Sequence, residues 1–168
     1  MARATLSIAA RSRRIRMVLL DVDGVLTDGG LYYTADGHEL KRFHAHDGYG
    51  IVRGREAGLV FGIISGRSTP IVDARARVLK IEDVIQGTDD KVASMREIQR
   101  RRGFADDEFA FIGDDLFDIP LLRTVGLSAA PPNALAEVRR SVHYITRMPG
   151  GGGAVRDFID CILRRRSR

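Results

Sequence analysis

Short apolar runs alternate with helical patterns along most of the chain, and this alternation limits the fold more than any other feature. Four apolar runs of strand length lie at 17–20, 59–64, 84–85 and 109–112. Helices are predicted between and after them at 48–57, 69–79, 90–102 and 116–123. Because strands that alternate with helices form βαβ units, we predict an α/β fold, a Rossmann-like three-layer sandwich with a mainly parallel sheet.

One segment departs from this alternation. Two β-prone stretches, 31–34 and 38–43, flank Asp36-Gly37, and Asp-Gly between such stretches is a hairpin signal. We therefore predict a small antiparallel hairpin that projects after the first strand. It is too small to form a lid domain, so the predicted fold is cap-less, and its open edges favour pairing in an oligomer.

The positive charge of the chain is concentrated at its two ends. Residues 1–16 contain five arginines, residues 164–168 contain four, and neither stretch contains an acid. We predict basic tails at 1–16 and 164–168 around a single domain at 17–163. Without the nine tail arginines, 18 of the 27 basic residues remain against 22 acids, a formal charge of −4. A nucleic-acid binder concentrates its basic residues on a folded face, so no nucleic-acid partner is expected.

The apolar segments are short, which bears on the compartment. None approaches the roughly 20 apolar residues of a membrane helix, and the arginine-rich start lacks the apolar core of a secretory signal. Cys161 is the single cysteine, so no internal disulfide is possible. These features predict a cytoplasmic protein with no membrane partner.

Polar groups follow each predicted strand, where ligands bind in open α/β sheets. They are Asp21 and Asp23, Ser65 and Gly66, Lys91, and finally Asp114, Asp115 and Asp118. Taken singly, such residues are more often turn formers, helix caps or surface groups. Their occurrence together, each just past an apolar run, favours a site over that interpretation.

This set of groups suits phosphoryl transfer. A carboxylate can attack phosphorus, Mg²⁺ prefers oxygen ligands, and a lysine can hold the phosphoryl oxygens. A second acid can protonate the leaving alkoxide and then activate water. Asp21 and Asp23, two residues apart at a strand end, can divide these roles as nucleophile and acid/base.

Four motifs resemble those of a known superfamily. DVDGVLTDG at 21–29, SGR at 65–67, GTDDK at 87–91 and GDDLFD at 113–118 resemble the motifs of the haloacid-dehalogenase superfamily of phosphatases. The hairpin, the absence of a cap and the segment GGGGAVRDF at 150–158 resemble its cap-less 3-deoxy-D-manno-octulosonate 8-phosphate phosphatases and their nonulosonate 9-phosphate relatives.

The resemblance implies roles for the strand-end residues. Asp21, Asp23 and Asp114 would bind Mg²⁺, Asp23 through its carbonyl, and Ser65 and Lys91 would hold the phosphoryl group. Asp115 and Asp118 would support the metal ligands. The implied substrate-binding set is Gly24, His44, His46, Asp47, Gly48, Gly66, Arg67, Arg75 and Arg156. The family also forms homotetramers, with the glycine-rich segment carrying Arg156 to a neighbour's site.

The stretch after the hairpin departs from the family pattern. Where Phe-Asn-x-Arg-Asp-Gly is usual, the chain has Phe43-His44-Ala45-His46-Asp47-Gly48. In an extended segment the two histidines would share a face, which a zinc site could use. A place in the leaving-group pocket is the favoured interpretation, because the strand-end acids already make a metal site.

The function expected from the sequence is Mg²⁺-dependent hydrolysis of a phosphorylated sugar acid, with the octulosonate 8-phosphate as first choice. A nonulosonate 9-phosphate phosphatase and a broad sugar-phosphate phosphatase are the alternatives among enzymes. A catalytically silent binding module of the same fold is the non-enzyme alternative. A response-regulator receiver is disfavoured, because in receivers an acid pair precedes a phosphoacceptor on a later strand.

Overall fold

The structure, a computed structural model, describes residues 6–166. Within that range a six-stranded parallel sheet is flanked by seven α-helices. The sheet strands are β1 (Met17–Leu20), β4 (Val60–Ser65), β5 (Asp83–Gln86), β6 (Phe109–Ile112), β7 (Leu127–Ala130) and β8 (Tyr144–Ile145), and the hairpin strands are β2 (Tyr32–Tyr33) and β3 (Glu39–Leu40). The helices are α1 (Ile8–Arg14), α2 (Ala45–Glu56), α3 (Pro70–Leu79), α4 (Lys91–Arg102), α5 (Ile119–Thr124), α6 (Ala136–Ser141) and α7 (Ala154–Arg166).

The first strand of the chain is central in the sheet. The strand order is β5-β4-β1-β6-β7-β8, and Leu20 at the end of β1 lies opposite Ile63 of β4 and Ile112 of β6. All four residues of β1 are apolar and buried, as expected of a parallel strand covered on both faces. The strands on either side of β1 are reached by connections that run in opposite directions. This is the switch point at which open α/β sheets bind ligands.

Helices cover both faces of the sheet and complete three layers. One core contains Val18 and Leu20 of β1 with apolar residues of α2, α3 and α7, and Ile8 of α1 packs against it. The other contains Met17 and Leu19 with residues of α4, α5 and α6. Alternate residues of one strand thus enter opposite cores, as the pleat requires. The predicted three-layer α/β fold is confirmed.

The predicted hairpin is present and stands apart from the main sheet. Tyr32 pairs with Leu40 and Tyr33 with Glu39, and Gly37 adopts a φ of +87° in the turn. The side chains of Leu31, Tyr32, Tyr33 and Leu40 are exposed. The hairpin therefore presents apolar side chains and unpaired strand edges to the surroundings.

The two predicted basic tails are largely part of the fold. Ser7 caps α1, which packs against α7, and Ser12 and Ile15 are fully buried. Helix α7 continues to Arg166, so the domain extends beyond the predicted limits of 17 and 163 at both ends. Residues 8–16 pack on the core through apolar side chains that lie among the arginines, whereas residues 164–166 continue helix α7. Residues 1–5 and 167–168 lie outside the described residues.

The length and apolar content of the helices bear on whether one could span a membrane. Among residues 6–166, no helix is long and apolar enough to cross a membrane.

Candidate active site

The carboxyl ends of β1, β4 and β6 meet at one edge of the sheet. The Asp21 amide donates to the Ile112 carbonyl at 3.1 Å, which extends the pairing of β1 with β6 by one residue. A cavity of about 310 Å³ opens at this edge. Its lining residues are Asp21, Asp23, Gly24, Gly29, Ser65, Gly66, Arg67, Asp114, Asp115 and Phe117. Eight of these ten residues were predicted from the sequence, and Gly29 and Phe117 were not.

Lys91 is a buried cation beside the cavity. Asp90 caps α4 by accepting from the Ala93 amide, and Lys91 is the first residue of that helix. Its ammonium lies 2.9 Å from Asp21 Oδ1 and 2.6 Å from Asp118 Oδ1. Burial alone would lower the pKa of Lys91, but the two carboxylates outweigh burial and raise it. Lys91 is therefore a fixed positive charge next to Asp21.

Asp118 organises the loop after β6. It is fully buried, and its Oδ2 accepts from the amides of Asp114 and Asp115 at 2.9 and 3.1 Å while Oδ1 accepts from Lys91. One carboxylate thereby fixes both the loop backbone and the lysine. This contact pattern agrees with the supporting role predicted for Asp118.

Three carboxylates converge closely enough to share a cation. One ligand atom each from Asp21, Asp114 and Asp118 lies within 4.8 Å of the others. Burial raises the pKa of Asp21 to about 7, partly offset by Lys91, and burial with the charge of Asp21 raises that of Asp114 to about 8. A single ammonium thus leaves the cluster short of positive charge. An added cation with a preference for oxygen would satisfy it.

Gly24 lies where no side chain fits. Its φ is +80°, and a Cβ added there would lie 2.0 Å from Asp114 Oδ2. The Gly24 carbonyl accepts from Asn133 Nδ2 at 3.0 Å. A glycine at this position allows the loop after β1 to approach the loop after β6.

The glycine-rich segment packs on the loop after β1 of its own chain. The Gly150 amide donates to Asn133 Oδ1 at 2.7 Å, and the Gly151 amide donates to the Val25 carbonyl at 3.0 Å. The prediction that this segment reaches the site of a neighbouring subunit stays a prediction; within its own chain the segment contacts the loop after β1. Arg156 follows in α7, where its guanidinium pairs with Asp160 and lies over the Tyr49 ring.

Four further residues of the predicted substrate set do not line the cavity. His44 Nδ1 accepts from the His46 amide and caps α2, and the two rings meet edge to face at 4.9 Å. Gly48 is buried, and a Cβ there would lie 2.5 Å from an Arg75 nitrogen. The Arg75 guanidinium lies over the Phe43 ring at 5.4 Å. These residues shape the start of α2 and its packing against α3.

Asp47 makes a contact with the start of α7, and its predicted substrate contact stays a prediction. Its side chain is buried, and Oδ1 accepts from the Arg156 amide at 2.8 Å. Burial raises the pKa of Asp47, partly offset by the amides at the start of α7. Asp47 therefore acts as a cap on the first turn of α7, where amides lack partners within the helix.

Two residues that the sequence prediction missed contribute to the site. Phe117 lies at the cavity mouth with its ring 4.5 Å from Lys91 Nζ. Lys41, just after β3, contacts Asp23 Oδ1 at 2.5 Å. Glu39 and Lys41 are two residues apart in the predicted hairpin, which is the available signal, but spacing along the chain does not show that Lys41 contacts Asp23.

A family model described as haloacid dehalogenase-like hydrolase matches residues 73–159. The chain belongs to the haloacid dehalogenase-like hydrolase family. The 3-deoxy-D-manno-octulosonate 8-phosphate phosphatase of Escherichia coli is 38% identical over 156 residues, which are 93% of this chain and 83% of the relative. The resemblance seen in the four motifs and the phosphatase class predicted from them are thereby confirmed.

Solved structures of such phosphatases share the fold. That of Moraxella catarrhalis, in complex with a magnesium ion, a phosphate ion and a KDO molecule, has a TM-score of 0.93 and 37% identity, covering 95% of this chain and 92% of its own. The cobalt-bound enzyme of Haemophilus influenzae has a TM-score of 0.90 and 35% identity, with coverages of 94% and 92%.

Proposed function

We propose that the chain is a Mg²⁺-dependent phosphomonoesterase that hydrolyses 3-deoxy-D-manno-octulosonate 8-phosphate through an aspartyl-phosphate. The observation that carries the proposal is the placement of Asp21 at the end of β1. Its carboxylate lines the cavity, contacts Lys91 at 2.9 Å and lies within reach of Asp114. A nucleophile, a fixed cation and a second carboxylate are thus assembled in one place.

The cluster fits a hard divalent cation. Asp21 and Asp114 offer carboxylate oxygens, and Asp118 keeps the Asp114 backbone in position through its amide. The absence of sulfur and imidazole from this group favours Mg²⁺ over softer metals. When bound, Mg²⁺ would supply positive charge that neutralises the acids and the phosphoryl oxygens.

In the first step, Asp21 attacks phosphorus in line with the leaving sugar oxygen. The bond from phosphorus to that oxygen breaks, and Asp23 gives its proton to the departing oxygen. Lys91 and Ser65 hold the phosphoryl oxygens meanwhile, since the Lys91 ammonium lies beside Asp21 and Ser65 lines the cavity. The products of this step are the free sugar acid and a phosphorylated Asp21.

In the second step, water attacks the phosphorus of the aspartyl-phosphate. Asp23, now ionised, takes a proton from that water, and the bond between phosphorus and Asp21 breaks to release inorganic phosphate. Asp23 regains its proton and Asp21 its charge, so the cycle is closed. No other proton carrier is required.

A sugar-acid substrate is supported by the relatives and by one residue at the rim. Arg67 lines the cavity with its side chain about two-fifths exposed; one guanidinium nitrogen pairs with Glu39, and the remaining donors suit a substrate carboxylate. A nonulosonate 9-phosphate or a broad range of sugar phosphates is the alternative. A silent binding module is disfavoured, because Asp21, Asp23 and Asp114 are all present at the cavity.

Turnover of a substrate panel tests this proposal. With Mg²⁺, kcat/KM should be highest for the octulosonate 8-phosphate, EDTA should abolish activity, and Asp21→Asn should remove it. Asp89→Asn, a change at an exposed acid outside the cavity, is the matched control and should retain activity. Equal kcat/KM across the panel would refute the specific substrate, and turnover by Asp21→Asn would refute the nucleophile.

We also propose a homotetramer assembled through the hairpin, and a cytoplasmic location. The exposed apolar side chains of the hairpin and its open edges support the assembly. The mass in solution tests it: wild type should be a tetramer, and Tyr33→Glu with Leu40→Glu should weaken it. A monomeric wild type would overturn it. Cell fractionation tests the location.

A further inference from the structure

Lys41 places a charged group in an unexpectedly buried position. Its side chain is only 1% exposed, although the hairpin around it is exposed. A buried ammonium costs free energy unless opposite charges compensate it. Its partners are Asp23 Oδ1 at 2.5 Å and Glu39 Oε1 at 3.3 Å. The position of Lys41 is therefore set by two acids, one of which belongs to the active site.

These charges form a line that alternates in sign. Arg67 donates to Glu39 Oε1 at 2.8 Å, Glu39 contacts Lys41, and Lys41 contacts Asp23. Arg67 and Asp23, at the two ends of this line, both line the cavity, and Glu39 and Lys41 between them belong to the hairpin and the residue that follows it. Each charge has an opposite neighbour while Asp23 is ionised, and Oδ1 of Asp23 can still accept from Lys41 when Oδ2 carries a proton.

The contact leaves Asp23 with two unlike oxygens. Oδ1 is held by Lys41, and the hydrogen bonds within residues 6–166 include none to Oδ2. The Asp23 side chain is about a quarter exposed and lines the cavity. A contact at one oxygen restricts the rotation of the carboxylate and leaves the other oxygen for proton exchange.

We propose that Lys41 is a positioning residue for the acid/base Asp23. It holds Oδ1 so that Oδ2 exchanges the proton with the leaving oxygen and then with water. This inference rests on the role of Asp23 in the proposed function. The hairpin, whose edges suit assembly, would then also orient a group of the active site.

A merely structural role for Lys41 would anchor the hairpin without acting on proton transfer. The two roles differ in how activity depends on the leaving group. A good leaving group such as p-nitrophenolate departs with little protonation, whereas an alkoxide needs a proton. Poor positioning of the acid therefore slows alkyl phosphates selectively, whereas loss of anchoring slows all substrates alike.

The test measures kcat/KM with Mg²⁺ for a series of aryl and alkyl phosphates of graded leaving-group pKa. This constant reports the steps up to departure of the leaving group and excludes the later hydrolysis. Lys41→Met should lose about 10²-fold on alkyl phosphates, the size of a general-acid contribution, and little on p-nitrophenyl phosphate. Lys41→Arg, which keeps a cationic donor, should recover part of the loss.

Two reference variants separate the possible failures. Asp23→Asn should show the same steep dependence of kcat/KM on the leaving group. Arg42→Met is the control for loss of a hairpin cation, because Arg42 is next to Lys41 in the chain and its side chain is 60% exposed. Equal losses of Lys41→Met on all substrates, with a steep dependence for Asp23→Asn, would overturn the role of Lys41 alone. A flat dependence for Asp23→Asn would overturn the acid role and the inference with it. If Lys41→Met does not fold, Lys41→Arg and Glu39→Gln are measured in its place. A loss of kcat/KM that is larger for alkyl than for aryl phosphates then supports the inference, and an equal loss on all substrates overturns it.

Discussion

Replacement of Gly150 by alanine should disturb catalysis through a backbone collision. A Cβ at Gly150 would lie 1.8 Å from the Gly24 carbonyl oxygen and 2.5 Å from its carbon. An ordinary contact begins at 3.4 Å, so the two segments must separate by about 1.6 Å. The carbonyl is also held by Asn133, and Gly24 follows Asp23 directly, so the displacement reaches the acid/base.

In free energy, the expected losses of activity and of stability are of similar size, because a tenfold loss of rate corresponds to about 1.4 kcal/mol. A misplacement of about 1 Å in a catalytic constellation costs up to roughly 10²-fold in rate. Overpacking costs about 1–3 kcal/mol in unfolding free energy. For a chain of this size, that corresponds to a Tm lower by about 2–12 °C. The variant should therefore remain folded at 25 °C with kcat/KM reduced by one to two orders of magnitude.

The assay compares kcat/KM and thermal unfolding of Gly150→Ala with those of Gly152→Ala. The three atoms nearest to a Cβ at Gly152 all belong to Pro149 and lie at 3.0 Å or more, so this Cβ has no backbone collision with Gly24 of the kind found at Gly150. The control should keep kcat/KM within about twofold, as for a change worth less than 0.5 kcal/mol. Unchanged activity of Gly150→Ala, or an equal loss in both variants, would show that the collision does not control the site.

Three more predictions concern buried carboxylates. The pKa of Asp114 is raised to about 8, so the metal-free fold loses stability as the pH rises from about 4 to 8. Asp114→Asn, measured in EDTA, should therefore raise Tm at pH 8 but not at pH 4.5. An equal change of Tm at both pH values would contradict this prediction. Burial alone would raise the pKa of Asp157, but hydrogen bonds, chiefly from Arg147, lower it, so its stabilisation is present above pH 3.8 and lost below. Asp157→Asn should therefore lower Tm at pH 7, and the difference from wild type should shrink toward pH 3; a difference that persists would refute the ion pair. Asp47→Ala should cost about 1 kcal/mol, as for loss of a helix cap, and Asp47→Asn less. A raised KM at unchanged Tm would instead return Asp47 to the substrate pocket.

The strand-end chemistry could be predicted from the sequence because it depends on local order. The runs at 17–20, 59–64 and 109–112 are followed at once by a polar group, and Lys91 begins the helix after the run at 84–85. A parallel sheet brings these ends together whatever the intervening helices do. Asp21, Ser65 and Asp114 thus line one cavity, although the first and last are 93 positions apart.

The contacts that were missed depend on pairing between distant elements. Strand β7 has a serine among small residues, β8 has only two residues, and neither has a strong strand signal. Asp47 follows a histidine run that suggested a ligand pocket, yet its partner is the start of α7, about 100 residues later. Spacing along the chain does not contain such information.

The central position of β1 has a consequence for synthesis on the ribosome. Residues 17–20 leave the ribosome first among the sheet strands, but their partners in β4 and β6 begin only at residues 60 and 109. Helix α1 must in turn await α7, which begins only at residue 154. A nascent chain that ends before β6 carries β1 with one edge unpaired, which favours delayed closure and exposure to chaperones. Helix α1 and strand β1 are thus made before most of the fold, yet they are among the last elements to be fixed in place.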